Sequence, residues 1–209
     1  MKIAIFGGTG KTGKHLVLEA LNAGHDVTIL ARTPSKLGIE HPALQIIQGD
    51  LANVSAIETT IAGADVVMSV LGPTPKQTPF AISTGITNIL TAMKKHGVNR
   101  LVISAGAGVG DPNDKPKFVD RLAKVALKTL SKQAYEDMNR VVEIIKASDV
   151  QWTVIRVPML TDQPKKNKIR MGYLGGDVGI RLSRADMAEF MLHKGLDKAH
   201  LHKAPVISN

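Results

Sequence analysis

The chain has 209 residues, with 27 Lys and Arg against 18 Asp and Glu, a formal net charge of +9, and no cysteine. The missing cysteines exclude a disulfide framework, thiolate chemistry and cysteine metal sites, and the length suits one domain, residues 1–209, with a sizeable core. Aromatics are only 3% of residues, so that core must be built from Val, Ile, Leu, Ala and Met. No apolar run reaches the roughly 20 residues of a membrane span, and the chain opens on a strand-like segment rather than a leader. The expectation is a soluble cytoplasmic monomer without a membrane partner.

In chain order, the first unit is the most informative. Lys2-Ile3-Ala4-Ile5-Phe6 reads as an apolar strand that runs into Gly7, Gly10 and Gly13, with an amphipathic helix following at once. A strand, a tight glycine turn and a helix N-terminus form the arrangement that cradles a dinucleotide pyrophosphate. The spacing is G-x-x-G-x-x-G. An overlapping frame, Gly8 with Gly13-Lys14, matches the phosphate loop of nucleotide triphosphatases, but that loop needs Ser or Thr next and the chain has His15. A second register ending in Lys11-Thr12 puts Ile5 where the first glycine belongs, so both fail.

His25 to Ala31 reads as a second strand, and its end selects between dinucleotides. An acidic residue there would bind the adenosine ribose hydroxyl of NAD; the chain has Arg32, followed by Thr33, Ser35 and Lys36. A guanidinium pairs bidentately with phosphate and Lys36 adds a donor, so NADP(H) is expected over NAD(H). The third strand, Leu44 to Gln48, ends at Gly49-Asp50. Asp50 can accept from the adenine amino group, with Leu51 packing nearby, or cap the helical segment starting around Asn53. The fourth, Asp65 to Leu71, ends at Gly72-Pro73, where a ribose can approach bare backbone or the chain simply turns.

A helix near Ile82 to His96 leads to the fifth strand, Leu101 to Ser104. Ser104 can donate to a substrate carbonyl or cap a turn. A long helical stretch, one helix or two, lies between Lys117 and Ala147 before a sixth strand at Trp152 to Arg156. Tyr135 in that stretch is a candidate proton donor. The partner Lys of a Tyr-x-x-x-Lys dyad is replaced by Asn139, which carries no charge to lower a tyrosine pKa. Ile169 to Leu174 and Pro205 to Ser208 read as short strands flanking a helix from about Arg184 to His193. Near-continuous Val/Ile strands alternating with helices indicate an α/β Rossmann fold. It is a doubly wound, mostly parallel sheet of about six to seven strands in order 3-2-1-4-5-6, with helices on both faces.

The basic residues concentrate in Lys115 to Lys132 and in Lys165 to Arg170. The first group falls on one face of an amphipathic pattern, which reads as a solvated face or as attraction for anionic ligands. Nucleic-acid binding would want interleaved aromatics, and Phe118 stands alone there. Lys76, Lys165 and Lys166 in loops at the strand ends point to an anionic small-molecule acceptor. The histidines show no pair spaced for metal, and no metal site is expected.

Several of these segments together resemble a known family: Ile3-Ala4-Ile5-Phe6-Gly7 with Thr9-Gly10 and Thr12-Gly13, Gly49-Asp50, Leu71-Gly72, Met93-Lys94, His96-Gly97-Val98 and Asp162-Gln163-Pro164. The chain is similar to the NmrA-like, atypical short-chain dehydrogenases that bind NAD(P)H, and within them to the biliverdin-IXβ (flavin) reductases. The resemblance implies pyrophosphate contacts at Thr9, Gly10, Lys11 and Thr12, the 2′-phosphate on Arg32, and adenine by Asp50 and Leu51. It implies the nicotinamide end near Leu71, Gly72, Ser104, Val157 and Pro158. It further implies reduction of a flavin, quinone or similar planar acceptor, with flavin as substrate rather than prosthetic group. The chain departs from those reductases at Gly106, Met159 and Tyr135, where they carry a serine and two histidines, which argues against tetrapyrrole reduction. The alternative within the same resemblance is a non-catalytic NADP(H) sensor with a macromolecular partner. An epimerase or dehydratase holding NAD would need the Tyr/Lys dyad and an acidic second-strand end.

Overall fold

The computed structural model describes residues 1–74, 78–118, 129, 131–194 and 196–209. Strands are β1 (Lys2–Phe6), β2 (Asp26–Ala31), β3 (Leu44–Gln48), β4 (Val66–Ser69), β5 (Arg100–Gly106), β6 (Gln151–Val157), β7 (Met159–Thr161), β8 (Arg170–Gly172), β9 (Arg181–Ser183) and β10 (Val206–Ser208). Helices are α1 (Lys11–Asn22), α2 (Val54–Ile61), α3 (Ala81–Lys95), α4 (Lys132–Lys146) and α5 (Arg184–His193). The main sheet runs β3-β2-β1-β4-β5-β6-β10-β8, parallel throughout except for β8, which lies antiparallel to β10.

The expected order 3-2-1-4-5-6 is present, extended to eight strands by β10 and β8 rather than stopping at six or seven. A second sheet, the parallel pair β7–β9, was not expected. Pro158 has no N–H for a ladder and separates β7 from β6, and a three-residue strand leaves no readable periodicity. Of the helical stretch expected between Lys117 and Ala147, the described part is α4; residues 119–128 and 130, like Lys76, lie outside the described residues, and the full basic face with them.

Strand alternation divides the core between the two sheet faces. Ala4 and Phe6 of β1 pack with α2, α3 and α4 through Ile57, Ile86 and Val141. Ile3 and Ile5 pack on the other face with α1 and α5 through Leu16, Val17 and Met187. Every one of these residues is completely buried or within 1% of it. With both faces covered, the exposed loops at the carboxyl ends of the strands are left to bind ligands.

Candidate dinucleotide site

Gly7 has φ +88°, a left-handed conformation that glycine adopts freely, and its carbonyl accepts from the Gly10 N–H at 3.0 Å. A Cβ on Gly13 would sit 2.1 Å from that same carbonyl oxygen and 2.7 Å from the Gly8 Cα. The first turn of α1 therefore lies directly on the end of β1, an approach only glycine permits. Gly10 occupies the N-cap with no side-chain cap, and the first turn carries no acidic residue. That end of the helix offers N–H groups and positive dipole to an anion.

A cleft of about 520 Å³ opens beside this turn, lined among others by Gly7, Thr9, Gly10, Arg32, Asp50, Leu51, Leu71 and Gly72. A neighbouring hollow shares Arg32, Gly49, Asp50 and Ala52 with it. The two together form a groove from the ends of β2 and β3 across to the end of β4. A Cβ on Gly72 would meet nothing within 4 Å, so that backbone faces open space. This glycine-walled groove fits an extended dinucleotide.

Several predicted residues thus come together, and others do not. Thr12 is buried at 8% exposure behind the turn. Lys11 points away from the groove: its ammonium lies 2.9 Å from Asp162, which also takes Arg184 at 2.6 Å. Lys36 sits exposed on a 3₁₀ turn, Pro34–Lys36, and lines neither hollow. Ser104, Val157 and Pro158 stand at the carboxyl ends of β5 and β6, with Ser104 paired to Ile155 and Gly106 to Val157. They are not part of the cleft wall, and Ser104 is 6% exposed. Tyr135 lies in the first turn of α4, also off the cleft. Asn139 donates to the Tyr135 carbonyl at 2.7 Å, so it serves its own helix.

Asp50 resolves one open choice. Its Oδ1 accepts from the N–H groups of Ala52 and Asn53, closing a turn, while the cap of α2 is Asn53, which accepts from Ala56. Asp50 is therefore not the helix cap, and it remains on the groove wall. Lys165 is also reassigned. It pairs with Glu19 at 2.6 Å and Glu189 at 3.4 Å, so it is committed to α1 and α5 rather than to an acceptor.

The sequence reading missed the residues that hold the wall in place. Asp137 on α4 is 4% exposed and accepts from the Ile82 and Ser83 N–H groups, capping α3, whose Ala81 and Thr84 line the cleft. Arg140, one turn on, lies over the Phe80 ring. Such a cap acts from 54 or more positions away and has no local signal. Gly85 was missed too, since helix glycines seldom mark a site. A Cβ there would come within 2.8 Å of the Leu51 side chain. Gly85→Ala is expected to push Leu51 toward the groove and weaken dinucleotide binding by about threefold to tenfold, from the usual cost of overpacking. Fluorescence titration with NADPH checks this, and unchanged affinity would remove Leu51 from the adenine contact.

A buried ionic cluster holds the loop after β5. Arg156, fully buried, pairs bidentately with Asp114 at 2.7 and 2.8 Å and donates to the Ala204 and Val109 carbonyls. Asp114 also accepts from Asp111 and Leu174. Burial opposes its charge, but the Arg156 guanidinium and these two N–H groups hold its carboxyl below the ordinary range. Among the described residues no group of side chains could hold a metal ion, and no helix is long and apolar enough to cross a membrane.

Comparison with known proteins agrees with this geometry. The sequence profile of an NAD(P)H-binding family matches residues 7–194. A 3-beta-hydroxysteroid dehydrogenase from Mycolicibacterium neoaurum is 30% identical over 120 residues, 52% of this chain and 32% of that protein. YwnB from Bacillus subtilis is 31% identical over 108 residues, 52% of this chain and 48% of that protein. These matches span less than half the length of either relative. Among solved structures, a Veillonella parvula short-chain dehydrogenase/reductase in complex with NADP aligns with a TM-score of 0.80 at 17% identity, covering 100% of this chain and 94% of that one. ChuY, an anaerobillin reductase from Escherichia coli O157:H7, aligns at 0.78 and 16% identity, covering 100% and 97%. Both share the fold. With its profile match over residues 7–194, its sheet order and its glycine turn, the chain belongs to the NAD(P)H-binding family.

Proposed function

We propose that the protein is an NADPH-dependent reductase delivering hydride to a flavin, quinone or similar planar acceptor. The observation that carries the reading is Arg32. It lines both hollows of the groove at the end of β2 and has no ion-pair partner among the described residues. A free guanidinium where an NAD enzyme needs a carboxylate suits a 2′-phosphate. When bound, the reduced dinucleotide supplies hydride, and a flavin acceptor takes its proton from water. The protein's own part is then to bind and orient. The glycine turn and α1 take the pyrophosphate, Asp50 and Leu51 bound the adenine, and Leu71 and Gly72 leave room for the ribose. Beside the end of β6, Met159 and Ile180 are 54% and 77% exposed, joined by the Met159 N–H donating to the Ile180 carbonyl. They supply an apolar plate on which a ring system can stack, and stacking proximity is most of what such a transfer requires.

A second reading, a non-catalytic NADP(H) sensor, is favoured by one observation. Among the described residues the cleft wall has no titratable side chain besides Arg32 and Asp50. NADPH oxidation with FMN as acceptor, run against NADH and an enzyme-free blank, separates the two. NADPH-selective turnover supports the reductase; cofactor binding without oxidation by FMN, riboflavin or a quinone supports the sensor. Tyr135→Phe is expected to keep at least about half of the activity, because Tyr135 lies off the cleft and Asn139 gives it no cationic partner. A hundredfold fall in kcat would make Tyr135 the acid after all.

A further inference from the structure

Lys11 and Arg184 occupy the first positions of α1 and α5, and both reach one exposed carboxylate, that of Asp162 just after β7. A cation at a helix N-terminus opposes the dipole, so two of them side by side create a strong demand for an anion. Asp162 meets that demand. The hydrogen bond from Lys11, with the charge of Arg184 beside it, holds its carboxyl below the ordinary range.

Lys11 is also the one side-chain ammonium in the phosphate turn, between Gly10 and Gly13. A dinucleotide seated on that turn brings two phosphate charges to the N-terminus of α1, a stronger attraction for Lys11 than one solvated carboxylate. We propose that Asp162 is an internal competitor of the cofactor pyrophosphate for Lys11, and so a residue that sets dinucleotide affinity. The inference rests on the dinucleotide reading of the groove.

The segment carrying Asp162 does not depend on Lys11 for its position. Asp162 keeps Arg184, which is only 20% exposed. Lys165 is paired to Glu19 and Glu189, and the N–H groups of Lys166 and Asn167 donate to Asp186 at 2.9 and 3.0 Å. Lys11 is therefore free to change partners without unseating the loop. Its bridge to Asp162, which spans 151 positions of sequence, is the one contact of this segment with the phosphate turn among the bonds described.

The test is NADPH titration of four proteins: native, Asp162→Asn, Lys11→Met and the double variant. Asp162→Asn is expected to tighten NADPH binding about threefold to fivefold, the range of an exposed ion pair. Removing one negative charge near a polyanion would also tighten binding, so the cycle decides. Lys11→Met should weaken binding more in the Asp162→Asn background than in the native protein, because only there is Lys11 wholly available. Additive effects, or weaker binding by Asp162→Asn, would overturn the competition. Thermal unfolding of Asp162→Asn within a few degrees of native guards against a folding artefact; if it falls further, Asp162→Ser repeats the cycle. A native protein that binds neither NADPH nor NADH would overturn the dinucleotide reading itself, a failure visible before any variant is made.

Discussion

Arg32→Glu is expected to reverse the cofactor preference. A charge-assisted bond from a guanidinium to phosphate contributes about 1.5–3 kcal/mol, which is roughly tenfold to a hundredfold in affinity. The variant loses that bond and sets a carboxylate against the 2′-phosphate, so NADPH binding and kcat/KM should fall by at least this factor. NADH carries only hydroxyls on that ribose, and a glutamate can accept from them, so its kcat/KM should hold or rise. The position is suited to the experiment, since Arg32 is exposed and its loss leaves no buried partner. Parallel titrations with both nucleotides check the result. An unchanged ratio would move the 2′-phosphate away from the end of β2 and leave the NADP preference without a physical basis.

The second large effect is on stability. Asp114→Ala leaves the fully buried Arg156 guanidinium without its counter-charge, a situation that costs about 3–5 kcal/mol. It also strips the Asp111 and Leu174 N–H groups of their acceptor. A urea midpoint that drops with an unchanged slope would report this loss directly. The pH dependence follows from the same pair. The carboxyl of Asp114 titrates lower in the folded protein than its ordinary value of 3.8. Its contribution is therefore complete above that value and disappears as the pH falls through the lower folded one. Asp114→Asn should remove this share of the acid sensitivity. A loss under about 1 kcal/mol for Asp114→Ala would mean that Arg156 finds other compensation, for instance from water.

The half of the molecule around the phosphate turn was legible because each unit there is built from neighbours in sequence. A strand, three glycines and a helix in succession can fold in few ways, and Arg32 or Asp50 inherits its place from the strand before it. The other half was not legible, for the opposite reason. β7 exists through pairing with β9, Met159 opposite Arg181, and neither segment shows a period of its own. Asp137 caps α3 from α4, and Asp114 finds Arg156 through the fold. Lys11 shows the limit even in the legible half. The resemblance implies a phosphate contact for it, yet its side chain is turned to a carboxylate 151 positions away in sequence.

The parallel register of β10 against β6 has a consequence for how the protein is assembled. Val206 pairs with Arg156 on one side and Gly172 on the other, so β8 belongs to the main sheet only by way of β10. The strands β1 to β5 pair only among themselves and with β6, all within the first 157 residues. The two halves close over similar lengths of chain, Ile3 to Val66 in one and Arg156 to Val206 in the other, so order along the chain rather than loop entropy separates them. On a nascent chain the nucleotide half can thus organise first and serve as the surface on which the segments after β6 condense.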